Sequence, residues 1–514
     1  MFKFKKCILF TLFVLLSVLL LTSTMVTAQT DNDYRDPKNL LPNAVVFPGQ
    51  YGFPWAKDLG IVSGSFYEMG VQFGERDDQR ILDMTDNLCL PVILKAFESV
   101  EQFIVILAEY KEHTEALSPQ YMDFVAGTAD GAINQLKESK YYGQISPFDM
   151  IFAMNLHWAV INPPQQRMKE LGIGISKASL TITEDLALEE HSCNGVWVSG
   201  EATKYGQSFT LFENQVGTLF PHYKMIMIPD DPEANTVFVT GSAGRMFQSG
   251  WMVNDKGLSF NVLASGVSGK TTGTDHSDFG VETYPALFHA AFYGKTAKDA
   301  VDIVTVGTPE YRDKMGRKTL LRARPNMVAI DGKDEAYLVE YTAHRYAIRR
   351  PGDLGEKDGN YMAFANNFFC DYSYDENNVK TDLAMTEYTD SNPIAQESSA
   401  ERAYTFMWLV KNNYGKIDRE MLQYEIAPTH VRYKEDGTKI VPEKNEEGYF
   451  VPITSVCSHE LGKPGEFPGG SQRTMLFLHN TCDLWHVPAW PCVFIDKPWD
   501  YVSMYWLGED RNKR

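Results

Sequence analysis

The run His191-Ser192-Cys193-Asn194-Gly195-Val196-Trp197-Val198-Ser199-Gly200-Glu201-Ala202-Thr203-Lys204-Tyr205-Gly206 marks a change of period in the chain. An acid-rich helical run, Glu184 to Glu190, stops before it, and after Cys193 the residues Val196 and Val198 alternate as in a strand. A cysteine at the first position of a strand holds its thiol beside its own backbone nitrogen. If the Ser192-Cys193 bond is cut, that nitrogen becomes an α-amine with an unperturbed pKa of about 7.7 to 8.0, suited to a base near neutral pH. One residue then supplies nucleophile and base together. The plainer reading is a packed small hydrophobe, the usual role of a single Cys before a strand.

The chain has 514 residues and is 44% hydrophobic, enough for one large or two ordinary globular domains. Lys3, Lys5 and Lys6 precede an apolar run from Cys7 to Leu21, and Val26-Thr27-Ala28 fits a small-residue cleavage site. Residues 1–28 are therefore expected to be a signal peptide. An uncleaved anchor is the alternative, but the run is short of the roughly 20 residues a span needs. The expected location is secreted or periplasmic, and the lack of any Asn-x-Ser/Thr acceptor favours a bacterial envelope. Losing the three lysines moves the formal net charge from -19 to -22. An acidic chain without a basic stripe argues against nucleic acid and anionic membrane partners. No later segment is apolar enough to predict a membrane span. The remaining cysteines are Cys89, Cys193, Cys370, Cys457, Cys482 and Cys492. With Cys193 as a working thiol an odd number remains, and no pairing is legible.

Asp31 to Lys57 reads as a leader arm, and Gly64-Ser65-Phe66-Tyr67-Glu68-Met69-Gly70-Val71-Gln72-Phe73-Gly74-Glu75 as a turn running into a helix. Gly70 and Gly74 leave one helix face open for close packing. Apolar residues recur at helical spacing from Asp77 to Lys137 and again from Phe148 to Val160, so the segment 29–192 is expected to be mainly helical. After Cys193, short β-prone runs cover Ser208 to Glu213, Lys224 to Ile228 and Thr236 to Thr240, with Asn254-Asp255-Lys256-Gly257 as a hairpin turn. Val328 to Ile330, Ala336 to Tyr341 and Arg345 to Arg349 form a further meander. Helical stretches lie near Tyr284 to Phe292, Ala297 to Val306 and Ala400 to Asn412. This order predicts an α+β protein with helical layers outside stacked sheets.

With these pieces in order, the chain resembles the acyl-CoA:6-aminopenicillanate (isopenicillin N) acyltransferase family of N-terminal nucleophile (Ntn) hydrolases. The likeness rests on Gly64 to Gly74 as an opening motif and on Cys193 followed by Gly200-Glu201-Ala202-Thr203-Lys204. It rests further on Ala243-Gly244 with Gly250-Trp251-Met252-Val253-Asn254-Asp255-Lys256-Gly257-Leu258, on Ala365-Asn366-Asn367-Phe368, and on Ser399-Ala400-Glu401-Arg402. Each block is ordinary alone; their order and spacing are specific.

The resemblance implies a four-layer αββα sandwich made as an inactive precursor. Attack of the Cys193 thiol on the Ser192 carbonyl would cut the chain there, and two associated chains, 29–192 and 193–514, would remain. Cys193 would then attack a linear amide, passing the acyl group to water or to another amine. The resemblance also gives Asn366 an oxyanion-hole role and puts Arg402 near the family's active-site arginine; the competing readings are a turn-holding Asn and a surface helix Arg. The family's Arg-Asn-x-Asp, whose Asp holds the new α-amine, is missing: Phe212-Glu213-Asn214-Gln215-Val216 stands there. Glu213, Asn214 or Gln215 is left to orient the amine, and Gln215 joins Cys193, Asn366 and Arg402 as a candidate catalytic residue. No cofactor and no metal are implied. The implied partner is a small-molecule amide or N-acyl substrate, with a homo-oligomer left open.

Other readings remain open. A papain-type thiol peptidase needs a histidine partner that no local motif identifies, and needs no new chain start at Cys193. An exported binding protein that kept the fold without chemistry accounts for the missing Arg and Asp. A phospholipase B-like lipid hydrolase shares the exported precursor plan, but its C-terminal signatures are not apparent. Cys457, His459, Cys482 and His486 are metal-capable only at loose spacings, and Cys482 with Cys492 suits a local disulfide or two thiols.

Overall fold

The computed structural model describes residues 59–156, 159, 164–173, 193–216, 222–242, 251–263, 279–323, 326–388, 393–451, 453, 455–457, 470–487, 490–495 and 497–504. The expected signal segment, Ser192, Ala243-Gly244, Gly250 and the side chain of Gln215 lie outside the described set.

The opening motif forms strand β1 (Leu59–Gly64) and helix α1 (Phe66–Asp83). Ser65 starts the helix with a reciprocal cap: its Oγ accepts from the Glu68 amide at 3.2 Å, and its own amide donates to Glu68 Oε2 at 2.8 Å. The longer helices that follow are α2 (Val100–Leu117), α3 (Pro119–Gly131) and α4 (Pro147–Asn155). Cys193 then opens β2 (Cys193–Val198), followed by β3 (Phe209–Val216), β4 (His222–Pro229), β5 (Val237–Ser242), β6 (Trp251–Asn254) and β7 (Ser259–Leu263). Helices α5 (Thr283–Tyr293), α6 (Ala297–Thr305) and α7 (Pro309–Met315) precede the meander β8 (Asn326–Asp331), β9 (Ala336–Tyr341) and β10 (Tyr346–Arg349). Then come β11 (Tyr361–Phe364), β12 (Ser373–Tyr374), β13 (Lys380–Thr381) and the long helix α8 (Pro393–Asn412). The last described strands are β14 (Arg432–Tyr433), β15 (Lys439–Ile440), β16 (Gly470–Leu478), β17 (Asp483–Val487) and β18 (Asp500–Ser503).

Two sheets dominate, so the α+β expectation holds. The larger runs β1-β4-β5-β6-β7-β8-β9-β10-β12-β13, and the smaller runs β11-β2-β3-β16-β17-β18. Strand alternation sorts their side chains into separate apolar clusters. Met225, Val239, Phe260, Val328 and Val339 of the larger sheet pack with helical residues such as Phe73, Phe124 and Phe288. Ile226, Phe238, Val253 and Leu338 of the same sheet instead meet Trp197, Phe212, Met475 and Phe477 of the smaller sheet. On the other face of the smaller sheet, Val196, Val198, Leu211 and Leu476 join Phe406, Leu409 and Val410 of α8.

The segment before Cys193 is not helical throughout. Its β1 joins the larger sheet in parallel with β4, from Leu59 opposite Lys224 to Gly64 opposite Pro229. A short apolar run feeding a glycine turn, Leu59-Gly60-Ile61-Val62, carries no alternation that distinguishes such a strand from a loop end. Among the described residues no helix is long and apolar enough to cross a membrane.

Candidate active site around Cys193

Cys193 lies at the start of a central strand of the smaller sheet, with β11 on one side and β3 on the other. In register, Cys193 faces Asn214 of β3, and Asn214 in turn faces Arg473 of β16. Residues in one row across a sheet share a face, so the thiol, the amide and the guanidinium belong to the same side. On the other flank Phe364, the last residue of β11, faces Gly195, which brings the following loop and its Asn366 back to Cys193.

Three polar groups of Cys193 are each held by a side chain. Its backbone N–H donates to Asn366 Oδ1 at 2.7 Å, its carbonyl accepts from Arg402 Nη1 at 2.8 Å, and its Sγ accepts from Asn214 Nδ2 at 3.4 Å. Arg402 Nη2 also donates to Asn366 Oδ1 at 3.0 Å. Both partners of that oxygen are obligate donors, which fixes the orientation of the Asn366 amide and leaves Nδ2 as its donor end. Arg402 is 2% exposed, so the surface-arginine reading gives way to a buried clamp on the cysteine carbonyl and the asparagine. The loop that carries Asn366 is pinned from the facing sheet: Glu340 of β9 accepts from the Phe369 and Cys370 amides at 2.8 and 3.0 Å.

Of the expected site residues, Cys193, Asn366 and Arg402 thus come together. Gln215 contributes only its place in β3 to what is described; Asn214, one residue earlier, occupies the position beside the thiol. Glu213, opposite Asn194, is buried and accepts from Thr474 Oγ1 at 3.2 Å.

Arg473 was not among the residues the sequence singled out. It is 3% exposed, and its Nε and Nη1 have no hydrogen-bond partner among the described residues. Burial pulls its pKa down to about 9, while Tyr223, Tyr284 and Cys193 act on it in the opposite sense. At neutral pH it remains a cation within electrostatic reach of the thiol. Nearby, burial and the positive charges of Lys224 and Arg473 hold His486 far below the usual imidazole range, so that ring is neutral. The signal for Arg473 was present in Ser471-Gln472-Arg473-Thr474-Met475: a charged residue in step with core-facing Met475 and Phe477. A fixed cation here favours a thiolate and any negative charge that develops beside it.

No protein-family model matches the chain, and no curated protein sequence matches it. Among solved structures, two of conjugated bile acid hydrolase from Clostridium perfringens are similar at 11% and 12% identity, with TM-scores of 0.35 and 0.34. In each case the match covers 63% of this chain and 93% of the other. Overlap this loose carries no weight for function.

Proposed function

We propose that this chain is an exported, autoproteolytic N-terminal-cysteine amidohydrolase or acyltransferase with the four-layer αββα arrangement of Ntn hydrolases. The observation that carries the reading is that nitrogen, sulfur and carbonyl oxygen of Cys193 are each held by a different buried side chain at the first residue of a strand. A cysteine that only fills space needs no such set of partners.

In the maturation step, Cys193 Sγ attacks the Ser192 carbonyl carbon, and the Ser192–Cys193 C–N bond breaks as a thioester forms. Water then cleaves the thioester, leaving a carboxylate on Ser192 and a free amine and thiol on Cys193. In turnover the amine takes the thiol proton as sulfur attacks a substrate amide and passes it to the departing amine. Asn366 Nδ2 supplies the donor for the tetrahedral oxyanion, and Arg402 holds both Asn366 and the cysteine backbone in place. Arg473 stabilises the thiolate and the negative charge of the intermediate. The resulting acyl thioester is discharged to water or to a second amine.

The test is intact mass and N-terminal sequencing of the purified protein. A chain beginning Cys193-Asn194-Gly195 is expected, with Cys193→Ala remaining uncut at that bond and inactive on amides. An unbroken wild-type chain that reacts with no thiol label at Cys193 sinks the proposal in favour of a binding protein. Cleavage that persists in Cys193→Ala points to an external protease.

A further inference from the structure

In an apolar cluster separate from the one that holds Cys193, the loops around the C-terminal strands bring together two thiols and an imidazole. The ligand atoms of His430, Cys457 and Cys492 all lie within 4.8 Å of one another, and the three residues are 1%, 0% and 0% exposed. The set the sequence first offered does not assemble. Cys482 sits in a turn with its sulfur near the Asp255 carbonyl, His486 lies beside Lys224 and Arg473, and His459 is outside the described residues.

We propose that His430, Cys457 and Cys492 bind a thiophilic closed-shell cation, zinc by charge balance, as a staple for these C-terminal loops. Zn–S bonds of about 2.3 Å and Zn–N bonds of about 2.0 Å, meeting at a tetrahedral angle, place the ligand atoms roughly 3.5 to 3.8 Å apart. With all three ligand atoms within 4.8 Å of one another, a metal would draw any pair in by at most about 1.3 Å. Two thiolates and a neutral imidazole cancel a divalent charge, so the loaded site leaves no net charge among Val431, Phe450, Trp490 and Val493, the apolar residues around it. Loading releases two protons, one from each thiol. Three ligands leave one tetrahedral position for a water.

The local structure explains what such a staple does. His430 precedes the two-residue strand β14, Cys457 lies in a bend, and Cys492 belongs to a single turn, Pro491–Phe494. The His430 and Cys457 segments are already in register through the Cys457 amide on the Thr429 carbonyl at 3.0 Å, and Ser455 Oγ donates to the Val431 carbonyl. The Cys492 turn packs against both segments through Trp490, Val493, Val431 and Phe450, and a metal would add a coordinate tie to that packing. A Cys457–Cys492 disulfide is the competing cross-link, and it gives the buried imidazole no role.

Full-length protein purified without chelator should carry one zinc per chain by native mass and elemental analysis. Cys457→Ser and Cys492→Ser should each abolish it and His430→Gln should weaken it, with Cys193→Ala retaining full occupancy. Where a variant fails to fold, Co(II) added to chelator-treated wild type provides the second readout, as thiolate-to-metal charge-transfer absorption. One copper in place of zinc sustains the site and overturns the choice of zinc. A Cys457–Cys492 linked peptide, or wild type that takes up neither zinc nor cobalt, overturns the site. This outcome is independent of whether Cys193 begins a chain.

Discussion

Asn366 accepts at Oδ1 from both the Cys193 amide and Arg402, so its structural and chemical duties fall on different atoms. Asn366→Asp separates them: a carboxylate still accepts from both donors, and pairs with Arg402, but has no N–H to offer an oxyanion. On the proposed chemistry the variant still matures to a Cys193 start while kcat falls by about 10² to 10³, the usual cost of one oxyanion donor. Near-normal turnover by the variant in a single-turnover assay would remove Asn366 from the oxyanion hole. Cys193, Asn366 and Arg402 could be grouped from the sequence because each sits in a short motif whose order along the chain is informative. Asn214 and Arg473 were not legible as a pair. Their meeting depends on the β3–β16 register, which shifts between Ser471 and Arg473, and a one-residue slip moves every side chain to the opposite face.

Between elements, the four-residue glycine spacing read in α1 proves to be half of a reciprocal contact. A methyl added to Gly70 or Gly74 would sit 2.3 Å from the carbonyl oxygen of Phe124 or Thr128 in α3. One added to Gly127 or Gly131 of α3 would sit 2.0 or 2.2 Å from the carbonyls of Tyr67 or Val71 in α1. Gly→Ala in a helix ordinarily gains about 1 kcal/mol. Here the obstacle is backbone, which no rotamer relieves, and overpacking of this kind costs about 1 to 3 kcal/mol or more. Gly127→Ala should therefore lower the Tm in a calorimetric scan, and a rise would show that the helices part freely. The Gly127 half was not legible, since a glycine within a helical pattern does not name its partner. A second contact joins the sheets: Thr210 Oγ1 of β3 lies 2.9 Å from both Asp331 Oδ2 of β8 and His479 Nε2, and His479 Nδ1 donates to the Gly257 carbonyl at 2.8 Å. Thr210 Oγ1 donates to Asp331 Oδ2, which also accepts from Ser259 Oγ at 3.5 Å and Asn261 Nδ2 at 3.4 Å, and His479 Nε2 faces the same hydroxyl. Burial pushes Asp331 up to about 7, against the opposing pull of its hydrogen bonds from Thr210 and Ser259, and pushes His479 down to about 4. The signs oppose. The Asp331 contribution is complete below the unfolded range near 4 and is lost as pH rises to about 7. The His479 contribution is complete above about 6.5 and is lost as pH falls to about 4. Asp331→Asn should thus leave a Tm that falls on acidification from pH 6.5 to 4 more steeply than wild type; an unchanged slope would mean that the two groups do not titrate as a pair.

At the scale of the whole molecule, the proposed cut falls between two segments that cannot bury their apolar faces separately. β1 supplies the edge strand beside β4 over a six-residue register, and the Gly64 carbonyl accepts from the Asp230 amide at 2.9 Å. Behind that edge the helices share one core with the later chain: Phe66 meets Phe288 and Phe292 at ring separations of 5.5 and 5.0 Å, Phe73 meets Tyr223 at 4.9 Å, and Tyr110 meets Phe279 at 5.1 Å. Association of the two chains was expected from the resemblance, but its physical basis was not visible, because a parallel strand must find a partner far along the sequence and its short run gives no sign of which. A covalent break removes none of these contacts. The matured chains 29–192 and 193–514 should elute together on size exclusion and separate only in denaturant, with loss of both sets of secondary structure in one transition. The 193–514 chain produced alone would expose the part of the larger sheet's outer face that α5 and α6 do not cover, together with the β4 edge, a template for aggregation, and should be recovered insoluble. A soluble 193–514 chain with the Tm of the matured protein would show that the N-terminal segment is a removable prosegment, and would also remove any structural reason for the two chains to stay together.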